Sequence, residues 1–530
     1  MQDFKIQGDG FMKKKLRSFL SIALAVAMTV GVAGCGKQTL DNEDNTTTIN
    51  NVVGNNAENV NIVYEPVNVS EDFKADADEL ALYESLFDPE SKIKVTIDIP
   101  DEELAKLEKD YEKYSSKGSK SPIYRKCNMT IEINGEKYTI EEVGIRMKGN
   151  TSREDFYSVE NGMPYALVHF KFSFTQTFDN KSYYGDDAKI WESDAERTER
   201  KNRTFATLEG IEMKWNRNID STYTREIYAY RMYRDMGVLA PNCVPGQYVV
   251  NGDNWGIYKI YEPIDKIFIN RYFDEEDRGG DLYKCTWGSG PANYKNTNGI
   301  GIKDEDKNKF YTYDLKTNKK SSDNETLKNL INTVSKSSVT EEQIEEVVDV
   351  DNWIKFMAVS YFLGMPDDIR NNYNNHYVYF RGSDNKAVFI AYDCEICMGI
   401  NAWNPTGDYM TSTDPFSSHA YGANSNQENN LIVKTVTSSG YYVNEYKQVL
   451  NDIAASKWMK YSNFEEHFRK NYVNYAAKVE VSFELKKMNS DSLQMSADDT
   501  IEVDNNVYGN GNMSVKEFMN NMLENYKKYQ

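Results

Sequence analysis

Apolar and polar positions divide the chain into an aperiodic apolar run, a polar stretch, and a long part where periods of two and of 3.6 residues alternate. Ser18 to Val32 is a nearly unbroken run of Leu, Ile, Ala, Val, Met and small residues. Residues 36 to about 62 are rich in Asn, Thr, Asp and Glu. Residues 92–98 alternate as a half-buried strand does, and Asp101 to Tyr114 reads as a charged helix. Residues 123–147 hold two strand-like runs around Asn134-Gly135, a pair that tolerates the positive φ of a hairpin turn. Gly210 to Trp215 reads as a strand and Asn216 to Asp220 as a loop. Thr222 to Met236 reads as a helix, with Asp220 or Ser221 as N-cap and Gly237 as its stop. Gly246–Val250 and Trp255–Tyr261 form a second hairpin pattern, turned at Asn251-Gly252 and leading to Glu262-Pro263. Asp351 is expected to cap a helix from Trp353 to Leu363 that ends at Gly364. After a polar loop come strands Tyr377–Phe380 and Ala387–Tyr392. Polar inserts appear at roughly 176–204, 315–338 and 403–430; the last reads as a surface loop and a candidate lid. From about 457 the pattern is helical, interrupted near 489–512.

The opening run gains meaning from its flanks. Met12-Lys-Lys-Lys-Leu-Arg17 is basic, and Val32-Ala33-Gly34 supplies small residues just before Cys35. A basic region, a short apolar core and a small-residue cleavage site make a signal peptide. The core is shorter than the ~20 apolar residues of a membrane span. The cysteine resembles the lipobox of bacterial lipoproteins, which implies acylation of Cys35 and attachment to the cell membrane, facing the extracellular side. Met12 is the expected start, residues 1–34 the signal peptide, and 35–62 a lipidated tether.

Composition then narrows the partners. The chain has 530 residues, 40% hydrophobic and 13% aromatic, enough for a large core. Removing Lys5, Lys13, Lys14, Lys15, Arg17, Asp3 and Asp9 leaves 57 basic and 80 acidic residues from Cys35 onward, a net charge of −23. Such a surface repels phosphate backbones, so no nucleic-acid partner is expected. Cys127, Cys243, Cys285, Cys394 and Cys397 are too scattered for a disulfide framework. Cys394-Glu-Ile-Cys397 follows a strand rather than opening a redox turn, and no second pair completes a zinc site. The four histidines show no ligand spacing.

The candidate chemistry is acidic. Lys214 falls on a strand and Glu226 early in the following helix, where they can pair. Asp367-Asp368 sits where a helix gives way to a loop, Asn375 closes that loop, and Asp393 stands at a strand end with Glu395 two residues on. Either Asp367 or Asp368 can act as a base. Asn375 and Asp393 offer the hard oxygens that Mg²⁺ prefers. Strand lysine, helix acid, hairpin, loop Asp and Asn, then strand-end Asp is the order of parts in a protein kinase. The H-R-D, D-F-G and G-x-G-x-x-G words of ordinary kinases are absent.

A series of phrases resembles the spore coat protein H (CotH) kinase family. It comprises Gly144-Ile-Arg-Met-Lys-Gly-Asn-Thr-Ser152, the strand around Lys214, Asp220-Ser-Thr-Tyr-Thr-Arg-Glu226, Asn251-Gly252 and Gly256-Ile-Tyr258 with Glu262. Leu282-Tyr-Lys284, Asp367-Asp368, Asn374-Asn-His-Tyr-Val-Tyr379 and Tyr392-Asp393-Cys-Glu395 with Gly399 complete it. The likeness spans roughly residues 92 to 480. It implies an α+β, atypical protein-kinase-like two-lobed fold with an N-terminal β-rich extension. By position it divides the chain into a β-rich segment 63–140, a kinase domain 141–480 and a helical tail 481–530. It further implies ATP and Mg²⁺ or Mn²⁺ as cofactors and transfer of phosphate to Ser or Thr of exported or surface proteins. Carried over residue by residue, Asp368 or Asp367 would be catalytic, Asp393 and Asn375 would hold the metal with Glu395, and Lys214, held by Glu226, would contact the nucleotide together with Lys148. The family's aromatic-Asp-x-Asp pattern has Glu395 as its second acid here. The competing expectation is a non-catalytic surface or scaffold module that binds protein or glycan on the same frame.

Overall fold

Seven strands close into a barrel. In chain order they are β1 (Ile93–Asp98), β2 (Arg125–Ile133), β3 (Glu136–Lys148), β4 (His169–Ser173), β5 (Glu212–Trp215), β6 (Cys243–Val250) and β7 (Asp253–Tyr261). Neighbours run β1-β2-β3-β4-β5-β7-β6, and the circle closes by parallel pairing of β6 with β1, Val95 opposite Tyr248. The computed structural model describes residues 64–150, 152–217, 220, 222–303, 307, 309–400, 410–417, 431–436, 440–474, 481–485 and 513–530. The signal peptide, Cys35, the tether, most of the 403–430 insert and the 489–512 interruption lie outside them.

Both expected hairpins form, with Asn134 and Gly135 at φ 53° and 94° and Asn251 and Gly252 at φ 51° and 90°. Alternation sends Val95, Ile97, Met129, Ile131, Phe170, Phe172, Met213, Trp215, Tyr258 and Ile260 into one buried cluster inside the barrel. The intervening residues of β5 and β7 face outward, which is how Glu212, Lys214 and Lys259 reach the rest of the molecule. β3 runs through residue 140, so the strands on either side of that position share one barrel.

The other half is mainly helical around a second sheet. Its strands are β8 (Leu282–Cys285), β9 (Ile300–Gly301), β10 (Tyr313–Leu315), β11 (His376–Phe380) and β12 (Ala387–Ala391), in the order β9-β10-β8-β11-β12. The mixture of helix and sheet matches the expected α+β content. Two helices matter most for the site: α1 (Arg225–Asp235) and α2 (Val350–Leu363). Trp353, Phe356, Met357 and Leu363 of α2 share the largest buried cluster with Tyr228, Met232 and Tyr233 of α1.

Two local expectations are corrected. Helix α2 is capped by Asp349, which accepts the Asn352 N–H at 3.0 Å, whereas Asp351 lies in the first turn and pairs with Lys355 at 2.6 Å. Helix α1 begins at Arg225, not Thr222. Asp220 still serves its start from five residues upstream, accepting the N–H of Thr222 at 3.0 Å and of Arg225 at 2.9 Å. The 315–338 insert contains a helix, Glu325–Val334, because Leu327, Leu330, Ile331 and Val334 recur at helical spacing and are buried. Within 176–204, Ser193 caps a short exposed helix, Asp194–Lys201. Among the described residues, no helix is long and apolar enough to cross a membrane.

Candidate functional site

The register of the barrel builds the first half of the site. Lys214 on β5 lies directly opposite Lys259 on β7, so both ammonium groups leave the same face. Helix α1 brings Glu226 between them. Lys259 bonds one of its oxygens at 2.6 Å and Lys214 stands 3.5 Å from the other. The hydroxyls of Tyr261 (2.5 Å) and Tyr230 (3.0 Å) also donate to this carboxylate, which is 2% exposed. Burial alone would raise the pKa of Glu226; the two lysines outweigh it and hold the group down to about 2. The expected Lys214–Glu226 pair is therefore present, as part of a buried network.

Lys214 also bonds Asp393, just beyond β12, and lies 3.9 Å from Glu395. Burial opposes its charge, but Asp393, Glu226 and Glu395 prevail and keep it firmly an ammonium ion. The same contacts hold Asp393 well below the usual carboxylate range despite its burial. Glu395 is shifted upward, because burial outweighs the nearby Lys214. Asp393 takes the left-handed conformation, φ 59°, and its N–H is fixed by the Tyr230 hydroxyl at 3.0 Å. One tyrosine thus orients both Glu226 and Asp393.

The loop after α2 separates the two neighbouring aspartates. Asp368 is 1% exposed and turned inward. Its carboxylate accepts the Ser360 hydroxyl, the Asn371 N–H at 2.7 Å and the Asn371 amide at 3.1 Å. Asp367 faces the site. Three asparagine side chains donate to it: Asn372 at 2.6 Å, Asn374 at 3.0 Å and Asn375 at 2.9 Å. Burial lifts Asp367 to about 6; the three amides oppose that rise and the Asp393 charge adds to it. Tyr373 and Asn375 are both left-handed, at φ 53° and 52°, a conformation costly for a bulky residue and tolerated by asparagine. His376, buried and lowered to about 4, is neutral; it bonds the Asn374 carbonyl at 3.0 Å and the Tyr294 hydroxyl at 2.7 Å, fixing the loop from beneath.

A lysine cluster lies beside these acids, of which sequence reasoning had singled out Lys148 and Lys214 but not Lys284 or Lys171. Lys148, at the end of β3, bonds Glu212 at 2.6 Å and the Tyr392 hydroxyl at 3.1 Å. Lys284, on β8 of the second sheet, reaches the same hydroxyl at 3.0 Å, and Lys171 stands 3.3 Å from Glu212. Lys148, Lys214 and Lys284 lie 5.5, 5.6 and 4.2 Å from the Tyr392 ring centre. Burial would raise the Tyr392 phenol, yet Lys148 and Lys284 bring it below its ordinary value. Three ammonium groups around one phenol form a strongly anion-attracting corner. Lys214, Glu226, Asp393 and Glu395 are thus joined directly, Lys148 reaches them through Tyr392, and Asp367 with Asn375 borders Asp393. Asp368 alone is directed away.

Among the described residues, no three His, Cys, Asp or Glu side chains are grouped to hold a metal by themselves. Hard oxygens are nevertheless on offer. No protein hydrogen bond is made to the Asn375 amide oxygen or to the second Asp393 oxygen among the described residues. That donor set fits Mg²⁺ held jointly with phosphate oxygens, rather than a cage built from protein alone. Cys394 and Cys397 are buried free thiols, shifted upward by burial, and take no part.

Residues 145–506 match the CotH kinase protein family, and the chain belongs to that family. No curated protein matches the chain.

Proposed function

We propose that the chain is a surface-anchored atypical kinase that transfers the γ-phosphate of ATP to Ser or Thr of exported or surface proteins. The barrel and the helical half serve as its two lobes, and the lipid on Cys35 ties it to the outer face of the cell membrane. The observation that carries this reading is the placement of Lys214 between Glu226 and Asp393, with Asp367 and Asn375 at the neighbouring loop.

Roles follow from what each group can do. Lys214, held straight by Glu226, neutralises phosphate charge, and Lys148 and Lys284 do so from the two sides of Tyr392. Asp393 and Asn375, with Glu395 in reserve on the Lys214 side, would hold Mg²⁺ or Mn²⁺. The bound metal would neutralise charge on the transferred phosphoryl group. Asp367 accepts the proton of the acceptor hydroxyl, and its value near 6 suits a base that works at neutral pH. The Asn372, Asn374 and Asn375 amides fix its carboxylate in one orientation. Asp368 shapes the loop and stays out of the chemistry.

The test is nucleotide binding on the chain from Gly36 onward. Mg²⁺ or Mn²⁺ with ATP should raise the melting temperature, and Ca²⁺ alone should not. Stabilisation by Ca²⁺ alone, with none by nucleotide, would instead favour a non-catalytic surface module.

A further inference from the structure

Trp287 directly follows the second-sheet segment that ends in Cys285 and Thr286, and it is 43% exposed. The other described tryptophans are buried or half-buried. Its position is fixed from three directions. The indole Nε1–H donates to the Asn372 carbonyl at 2.6 Å, and the backbone N–H donates to the Asn374 side-chain oxygen at 3.1 Å. The next residue, Gly288, lies so close to the backbone of Tyr311 that a Cβ there would sit 2.2 Å from its carbonyl oxygen. The polar edge of the ring is therefore satisfied, while 43% of the residue stays exposed.

Asn372 and Asn374 are the same residues whose amides hold Asp367. The indole and the Asp367 carboxylate are thus mounted on one short loop. A rigid aromatic surface with its donor already used has little to offer except stacking with apolar or ring-shaped groups.

We propose that Trp287 is an acceptor-recognition residue. An extended protein segment lays a proline or an aliphatic side chain on the indole as its Ser or Thr hydroxyl reaches Asp367. This rests on the kinase reading and adds to it the side from which the acceptor approaches and the neighbour it prefers. Trp287 acts in binding the acceptor and takes no part in the chemical step.

The experiment compares the parent chain, Trp287→Ala and Trp287→Phe. Each is given casein and two synthetic serine peptides, one with proline and leucine beside the serine and one with glycine in those places. Trp287→Ala should raise the acceptor KM for the proline-leucine peptide by about three- to tenfold. It should leave the KM for ATP and the acceptor-independent ATP hydrolysis unchanged, and it should remove the preference over the glycine peptide. Trp287→Phe keeps an aromatic face and loses the bond to Asn372, so it should retain most of that preference. Equal losses of kcat in both variants, without a change in acceptor KM, would make Trp287 a loop-positioning residue and overturn the proposal. Unchanged kinetics in both would overturn it while leaving the kinase reading intact. Absence of transfer from ATP by the parent chain would refute the kinase reading, and this inference with it.

Discussion

Asp367 and Asp368 are adjacent, yet their removal should shift stability in opposite directions at pH 8. Replacing Asp368 by Ala leaves the Ser360 hydroxyl, the Asn371 N–H and the Asn371 amide without their acceptor inside the protein. Unpaired buried donors cost ~1–3 kcal/mol each, so a loss of about 3–5 kcal/mol is expected after local adjustment. A unit of this size unfolds with an entropy of ~1 kcal/mol per kelvin, which makes the fall in Tm about 3–5 °C. Burial raises both carboxyls, that of Asp367 from 3.8 to about 6, but Asn at 367 keeps a side-chain oxygen for the Asn372 and Asn374 amides, whereas Ala at 368 keeps no acceptor. The folded state binds the Asp367 proton more tightly than the unfolded chain does. Stability is therefore fully present below pH ~4 and declines as pH rises through ~6. The rise corresponds to about 3 kcal/mol. Asn at 367 removes the charge but gives up the Asn375 bond, worth about 1 kcal/mol. Asp367→Asn should thus be about 2 kcal/mol more stable than the parent at pH 8 and about 1 kcal/mol less stable at pH 4. Thermal and urea denaturation at the two pH values read this directly. In the phosphate-transfer assay Asp367→Asn should lose ~10²–10⁴-fold. The parent's rate should itself fall as pH drops below ~6. An Asp367→Asn destabilised at pH 8, or an Asp368→Ala that keeps its stability and loses only activity, would refute the assignment.

Glu226→Gln leaves Lys214 and Lys259 short of a buried counter-charge and should cost ~3–5 kcal/mol at neutral pH. Glu226 is held down to about 2, so the parent owes it stability that is present above pH ~4.5 and lost as pH falls toward 2. Denaturation profiles of parent and variant should therefore converge in acid; parallel profiles would contradict this. Lys284→Ala removes one of the three cations around Tyr392 and should raise the KM for ATP about tenfold without changing the acceptor KM. An unchanged ATP KM would remove Lys284 from the phosphate site.

Much of the frame was legible in the sequence because it rests on local signals. The Asn-Gly turns, the outward Lys214 and the helix that carries Glu226 follow from period and turn chemistry. The choice between Asp349 and Asp351 as cap was not legible, since two aspartates one residue apart satisfy the same pattern and only the backbone decides. Asp367 and Asp368 are also alike in sequence; they are told apart by the donors the folded loop brings to each, three asparagine amides to Asp367 and Ser360 with Asn371 to Asp368. Lys259, Lys171, Lys284 and Tyr392 were missed because strand register and the approach of the second sheet bring them together across long separations. The helix Glu325–Val334 was hidden by the polar residues between its four buried aliphatics. Trp287 had no local signal at all.

The most direct test of the account follows label from the γ-phosphate of ATP, with Mg²⁺ or Mn²⁺, into the chain itself and into casein, beside the Asp393→Ala variant. The account predicts label with the parent and none with the variant, because Asp393 is the carboxylate that Lys214 holds and to which the proposal gives the metal. Equal labelling by both, or none by the parent under either metal, would contradict it.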